Sequence, residues 1–479
     1  MLKKILRILW RTILGLFALG LAFVLVVVFI NCFDEDPKPV PATLRVPPNQ
    51  LTSGQNLFMG IVGLDAPEGT SPVDFAEKKM AQYKKLVDAL DRGESIPAPT
   101  TFGMPMDGQV DFHGDVYFKS PLGLSIWRTV PSHEAEIRKL LEGNQLLYRN
   151  YLALHGYQAY YDTSPPTPSP PYFFIIRTEL RNLFLADIAL RMHSTSVEER
   201  KKALMLLEAD MRTWHAMLTG EGHLLSQMFA ASYLNADCIL LADMIADEKV
   251  DVESLSPMFE RMVAPYAYAD WKTNKSIVRE FQLQEPRWRL LEKNGPPHGP
   301  DDDTWWDRKE RDFGGHFLKM NATSNLDMQH YLQALAVANA DPANLTRARD
   351  AYKEWANEQA SYRLDYLYNP YGKILISIDA FSMMDQYQFR SYDVAALQHM
   401  VKLGFEIRRR RIGAAGVPAF MAAHPEYAVH PVTRQAFFWN AENNEMSLSP
   451  QASTGKGRRF TIPVWHLAND AGGDRKVSR

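Results

Sequence analysis

Cysteine is nearly absent: the 479 residues contain only Cys32 and Cys238. That excludes a disulfide framework, and Cys238, inside the apolar stretch NADCILLADMIA, reads as a buried thiol. An excess of positive charge is lacking as well. The formal net charge is −3, and because Lys3, Lys4, Arg7 and Arg11 crowd the first residues, the remainder is more acidic still. Such a balance offers no broad attraction for nucleic acid, so no nucleic-acid partner is expected. Local catalytic signatures are missing too. There is no G-x-S-x-G elbow, no histidine close in sequence to either cysteine, no H-E-x-x-H helix and no calcium loop. No cofactor and no metal site are expected, and no fixed-period repeat is legible.

What is present begins with a long apolar run. From Thr12 to Ile30 the chain carries no charge, enough as a helix to cross the hydrocarbon core of a bilayer. Basic residues precede the run and Asp34, Glu35 and Asp36 follow it, so the positive-inside tendency puts the short tail in the cytoplasm and the rest outside. The expected organisation is a cytoplasmic tail (1–11), a transmembrane signal anchor (12–31) held in the lipid bilayer, a proline-rich stalk (32–56), a mainly helical extracytoplasmic domain (57–470) and a flexible C-terminus (471–479). In a Gram-negative host the body would be periplasmic. A cleaved signal peptide is the alternative, against which stand the length of the run and the lack of a small-x-small site closing it.

Hydrophobic residues make up 46% and aromatics 11%, which suffices for a large core. The stalk expectation rests on five prolines in DEDPKPVPATLRVPPNQLTSGQN, each of which fixes φ and removes a donor. A short apolar strand or turn is expected at LFMGIVGL, then a helix from Pro72 with Ala76, Met80, Tyr83 and Leu86 on one face. Minor β elements are expected near 100–130 and 435–450, the second as a hairpin of QAFFW and EMSLS around an Asn-rich turn. Residues 163–171, TSPPTPSPP, read as a stiff connector.

Helical signals dominate elsewhere. Residues 132–156 carry Ile137, Leu141, Tyr148 and Leu152 on one face. Ser196 and Glu199 form a capping-box pattern before the clearest amphipathic stretch, Leu204, Leu207, Met211, Trp214 and Leu218. Further helices are expected near 172–192, 223–246, 253–270, 325–339, 343–364, 373–385 and 391–410. The fold class is therefore mostly α, a large helical bundle or stacked helical hairpins behind an N-terminal transmembrane helix.

Several clusters are candidates for function. His215, Glu221 and His223 could move a proton or hold a metal, but Gly220 and Gly222 interrupt their spacing, and a polar turn between helices fits as well. His298, Asp301, Asp302, Asp303, Asp307, Asp312 and His316 form an acidic stretch around Trp305 and Trp306. Those indoles suit either core anchoring or contact with sugar or protein. Asn369, Pro370, Tyr371 and Gly372 form a turn that starts a helix, and Tyr387, Arg390 and Tyr392 could line a groove. Arg408, Arg409, Arg410 and Arg411 close the helix bearing Val394, Leu397, Val401 and Phe405; they suit the helix dipole or an acidic partner. Asn274, Asn321 and Asn344 head N-x-S/T triplets that discriminate nothing.

The sequence thus leads to a membrane-anchored extracytoplasmic protein that binds a membrane or envelope protein, or scaffolds a cell-envelope complex. One alternative is an envelope-polymer, lipid or glycan hydrolase, which needs two carboxylates facing one cleft. Another is a ligand-binding sensory domain; the tail is too short to signal, so it would act through a partner.

Overall fold

The computed structural model describes residues 2–92, 125–165, 178–294, 315–360, 364–378, 381–450 and 460–465. The chain is mostly helical, with one small antiparallel sheet. Helix α1 (Leu2–Ile30) has its apolar side chains exposed over most of its length, with Val27, Val28 and Ile30 at its carboxyl end half-buried. By length and composition it is able to cross a membrane.

Residues 32–56 are extended, as their prolines require, but they form no free stalk. The Asp34 carboxylate accepts from the backbone N–H groups of Asn321 and Ala322 at 3.0 and 3.1 Å. It thereby caps helix α12 (Met320–Asn339) in the manner of an N-cap side chain supplied from outside. Asn325 accepts from the Lys38 N–H and donates to Glu35, and Leu44 is buried in the main core. The strap lies along the body because α12 offers it unsatisfied donors and the main core takes up Leu44.

Helices α2 (Leu57–Val62), α3 (Pro72–Asp91), α4 (Ile126–Thr129), α5 (Glu134–Gly143) and α6 (Gln145–Ala153) follow. LFMGIVGL is helical where a strand or turn was expected, because the Asn56 side chain caps it by accepting from the Phe58 N–H. Ser125 likewise caps α4, so the described end of the 100–130 stretch is helix; residues 93–124 lie outside the described residues. The expected 132–156 helix is divided at Asn144, whose side chain bonds back to the Leu140 carbonyl.

The centre is built by α7 (Thr178–Met192), α8 (Val197–Leu218), α9 (Leu224–Ala246) and α15 (Phe381–Arg409). On α8 the five residues of the amphipathic stripe are all buried, as their spacing demands. Helix α9 is as hydrophobic as a membrane span, but 67% of that window is buried, between α8 on one side and α15 on another. Half of the expected capping box forms. Ser196 accepts from the Glu199 N–H, while the Glu199 carboxylate turns to Arg191 at 2.5 Å, an ion pair displacing the reciprocal bond.

The expected 253–270 helix is broken into α10 (Ser256–Met262) and a 3₁₀ turn at Tyr268–Trp271. Pro265 lies between them and disfavours a helical conformation before it. Helix α11 (Asn274–Asn294), α13 (Leu345–Ala360), α14 (Pro370–Ile378) and α16 (Val417–Ala423) complete the set. The hairpin appears as β1 (Phe438–Asn440) and β2 (Glu445–Leu448), and β3 (Phe460–Pro463) extends it in the order β1-β2-β3. Its four-residue turn contains Asn444 at φ 55, a left-handed conformation asparagine tolerates.

Candidate functional site

The residues singled out by sequence are placed apart. His215 meets Asp270 at 3.1 Å and stacks on Tyr266. Glu221 pairs with Lys275 at 3.1 Å, and His223 is buried against Asp162 at 2.5 Å, with Arg279 donating to the Asp162 and Ser164 carbonyls. Three residues close in sequence thus serve three separate contacts, and none opposes a second acid across a cleft. Trp305 and Trp306, with His298 and Asp301 to Asp312, lie outside the described residues; His316 faces the Val28 carbonyl at 3.2 Å.

The arginine run is largely absorbed within the molecule. Arg408 donates to the carbonyls of Ile245, Asp247 and Val250, at and beyond the carboxyl end of α9, where the helix dipole favours a cation. Arg409 and Arg410 both reach Glu406, at 2.8 and 3.2 Å, and Arg411 reaches Glu253 at 2.6 Å. Burial would raise the Glu406 pKa, but its bonds from Arg409 and Lys402 hold it at about 2. Arg408 and Arg411 thus tie the end of α15 to the segment after α9, whereas Arg409 and Arg410 pair with Glu406 of their own helix.

Asn369, at φ 52, does start a helix, with Pro370 as the first residue of α14. Its side chain accepts from the Lys319 N–H at 2.8 Å. Tyr392 is buried against Tyr268, their hydroxyls 2.8 Å apart, and Arg390 stacks over Tyr387.

A site the sequence did not disclose lies where α4, the ends of α7 and α9, and the small sheet converge. It is a cleft of about 500 Å³ lined by Trp127, Arg128, His193, Asp243, Asn444 and Trp465 among others. Trp127 stacks on His193 with ring centres 4.0 Å apart and donates its indole N–H to the Asp247 carboxylate at 2.9 Å. Arg408 lies over the Trp465 ring, so the same arginine also fixes one wall. At the foot of the cleft Asp243 is 6% exposed, and its Oδ2 has no hydrogen-bond partner. Burial pushes its carboxyl up to about 6, against the opposing effects of the Ser125 hydroxyl and the Arg128 charge.

An acid in this state holds a proton at mildly acidic pH and releases it near neutrality. With two indoles, an arginine and the asparagine-bearing turn around it, it is equipped to receive a small polar group by hydrogen bonding and stacking. The one signal in the sequence was a second carboxylate, after Asp237, in the most apolar stretch of α9. Its partners come from segments hundreds of residues apart.

A second buried ionic group is structural. Arg181 is held between Asp210 and Asp237, all three buried, with Tyr151 and Trp214 also donating to Asp210 at 2.7 and 2.8 Å. Burial works against an ionised Asp210, but Arg181 and the His155 bond keep its pKa low. Asp237, buried and beside that charge, is pushed well up. Arg181 is thus shared by two buried carboxyls, and at Asp237 burial disfavours the charged form. Among the described residues no three His, Cys, Asp or Glu side chains converge to hold a metal.

No protein-family model matches the chain, and neither a curated protein nor a solved structure is similar to it.

Proposed function

We propose that this chain is a single-pass membrane-anchored binding or scaffold component of a cell-envelope complex. Helix α1 spans the inner membrane as a retained signal anchor, its basic start in the cytoplasm, and the helical body is extracytoplasmic, periplasmic in a Gram-negative cell. The observation that carries this reading is the join between α1 and the body. The Asn31 side chain donates to the Leu367 carbonyl at 2.7 Å and accepts from the Asn369 N–H at 2.9 Å, while Asp34 caps α12. A removable signal peptide has no need of such bonds. A tethered enzyme would use a loose linker; a body gripped by its own anchor is held at a set height and orientation, as partner recognition across a membrane surface requires.

The cleft around Asp243 favours a second, compatible reading, a ligand-binding domain acting through a partner. The hydrolase reading has less support: Glu221 faces a lysine, not a second acid.

Photo-crosslinking of the full-length chain in its native membrane tests the proposal, with the crosslinker at Lys249 and Asn444 on the cleft rim and at exposed Lys85 on α3, which does not line the cleft. The expected result is one envelope protein captured from both rim positions and not from Lys85. Capture from neither rim position, under conditions that capture a control complex, overturns it.

A further inference from the structure

Nine large apolar side chains are exposed beyond α1 among the described residues, and five of them, Phe33, Leu364, Tyr371, Ile374 and Leu375, belong to the two segments that meet at Asn31. The other four are scattered singly, as on any surface. Helix α14 is apolar on two sides. Gly372 and Ile376 face the body, Gly372 so closely that a Cβ there would come within 2.0 Å of the Thr323 hydroxyl. Tyr371, Ile374 and Leu375, at the i, i+3, i+4 spacing of one helix face, are turned outward instead.

The position of that face is set by α1. Asn369 bonds to Asn31, the first residue after α1, and α14 begins at the next residue. With a rise of about 1.5 Å per residue, Tyr371 to Leu375 lie within about 10 Å of Asn369 and so within about 15 Å of the carboxyl end of α1. Phe33 carries the exposed apolar surface of α1 past the end of the helix, packing edge-on to Phe29 at 5.5 Å. The one cation on α14 is turned aside: Lys373 donates to the Asp365 carbonyl at 2.6 Å and lies over the Tyr366 ring.

We propose that the outward face of α14, with Leu364 and Phe33, is seated in the headgroup and acyl boundary of the leaflet from which α1 emerges, making the body monotopic as well as anchored. The inference rests on the reading of α1 as a membrane span. The occupant is lipid because the patch continues the lipid-facing surface of α1. A tyrosine beside isoleucine and leucine also suits a boundary with one apolar and one wet side. The segment is too short to cross the bilayer, so it lies on it.

Spin labels read the depth directly. In full-length protein carrying Cys32→Ser, with Cys238 buried and unreactive, labels are placed by Tyr371→Cys, Ile374→Cys and Leu375→Cys. Val24→Cys on α1 and Lys201→Cys on the body serve as references. The chain is reconstituted in vesicles of zwitterionic lipid, and collisions with oxygen and with a water-soluble nickel chelate are compared. The proposal expects oxygen to dominate at 371, 374 and 375 as at 24, and the chelate to dominate at 201. Chelate dominance at the three α14 positions with oxygen dominance at 24 overturns the inference and leaves the anchor standing. Shielding from both reagents at the α14 positions overturns it in favour of a protein occupant, including a second copy. Chelate dominance at 24 overturns the anchor reading and this inference with it.

Discussion

Replacing Asp243 with asparagine removes the titration while keeping the shape of the side chain. In the folded protein the carboxyl titrates at about 6 against an ordinary value of 3.8. A raised acid favours the folded state when protonated, so its contribution is complete below about pH 3.8 and is lost as pH rises through 6. The difference of about 2 pH units corresponds to about 3 kcal/mol at neutral pH. About half of that, roughly 1.4 kcal/mol, separates pH 7.5 from pH 5.0 by the same linkage relation. For a body of this size it amounts to about 2 °C in melting temperature. Thermal unfolding of the detergent-solubilised full chain, wild type and Asp243→Asn, at both pH values is the assay. The variant's advantage should be larger at pH 7.5 than at 5.0 by about that amount. An advantage equal at both values, or larger in acid, refutes the assignment of a strained, proton-holding carboxyl to the cleft.

Arg181→Met leaves the buried Asp210 without its counter-charge and should cost about 3–5 kcal/mol, read as a drop of about 4–7 °C in melting temperature. Asp237→Asn, in contrast, replaces a carboxyl whose charged form burial disfavours and should cost less than Arg181→Met in the same assay. Arg408→Ala removes charge-assisted bonds to three carbonyls and should cost about 2–3 kcal/mol, with faster amide exchange at residues 245–250. Arg411→Ala breaks an exposed pair and should cost less than about 1 kcal/mol. Gly372→Ala forces α14 away from Thr323 and should destabilise it by about 1–3 kcal/mol, seen as lost exchange protection over Pro370–Ile378.

The central helices were legible because each shows the core one periodic face: Leu204, Leu207, Met211, Trp214 and Leu218 on α8, and Val394, Leu397, Val401 and Phe405 on α15, are all buried. The hairpin was legible from its turn, whereas β3 follows it only after an intervening stretch with no strand pattern of its own. Helix α11 was missed because charged residues crowd it and Pro286, which ordinarily ends a helix, falls within its span. The strap at 32–56 was misread because composition reports extension but not what an extended chain lies against; Asp34 and Leu44 found partners nearly three hundred residues away and in the core. The cleft was illegible for the same reason. Asp243 is one of two carboxylates on a mainly apolar helix, and nothing local tells that Trp127, His193, Asn444 and Trp465 gather around it. The arginines were conspicuous in sequence for a charge that Glu406, Glu253 and the α9 carbonyls largely take up.

The claim on which the rest depends is that the body, gripped at Asn31 by its own anchor, faces away from the cytoplasm. Full-length protein with Cys32→Ser and Lys249→Cys, expressed in its native membrane, can be treated with a membrane-impermeant maleimide on intact cells stripped of any outer barrier. Labelling of position 249 before lysis, with none added on lysis, is the result this account predicts. Labelling that appears only after the membrane is opened would contradict it.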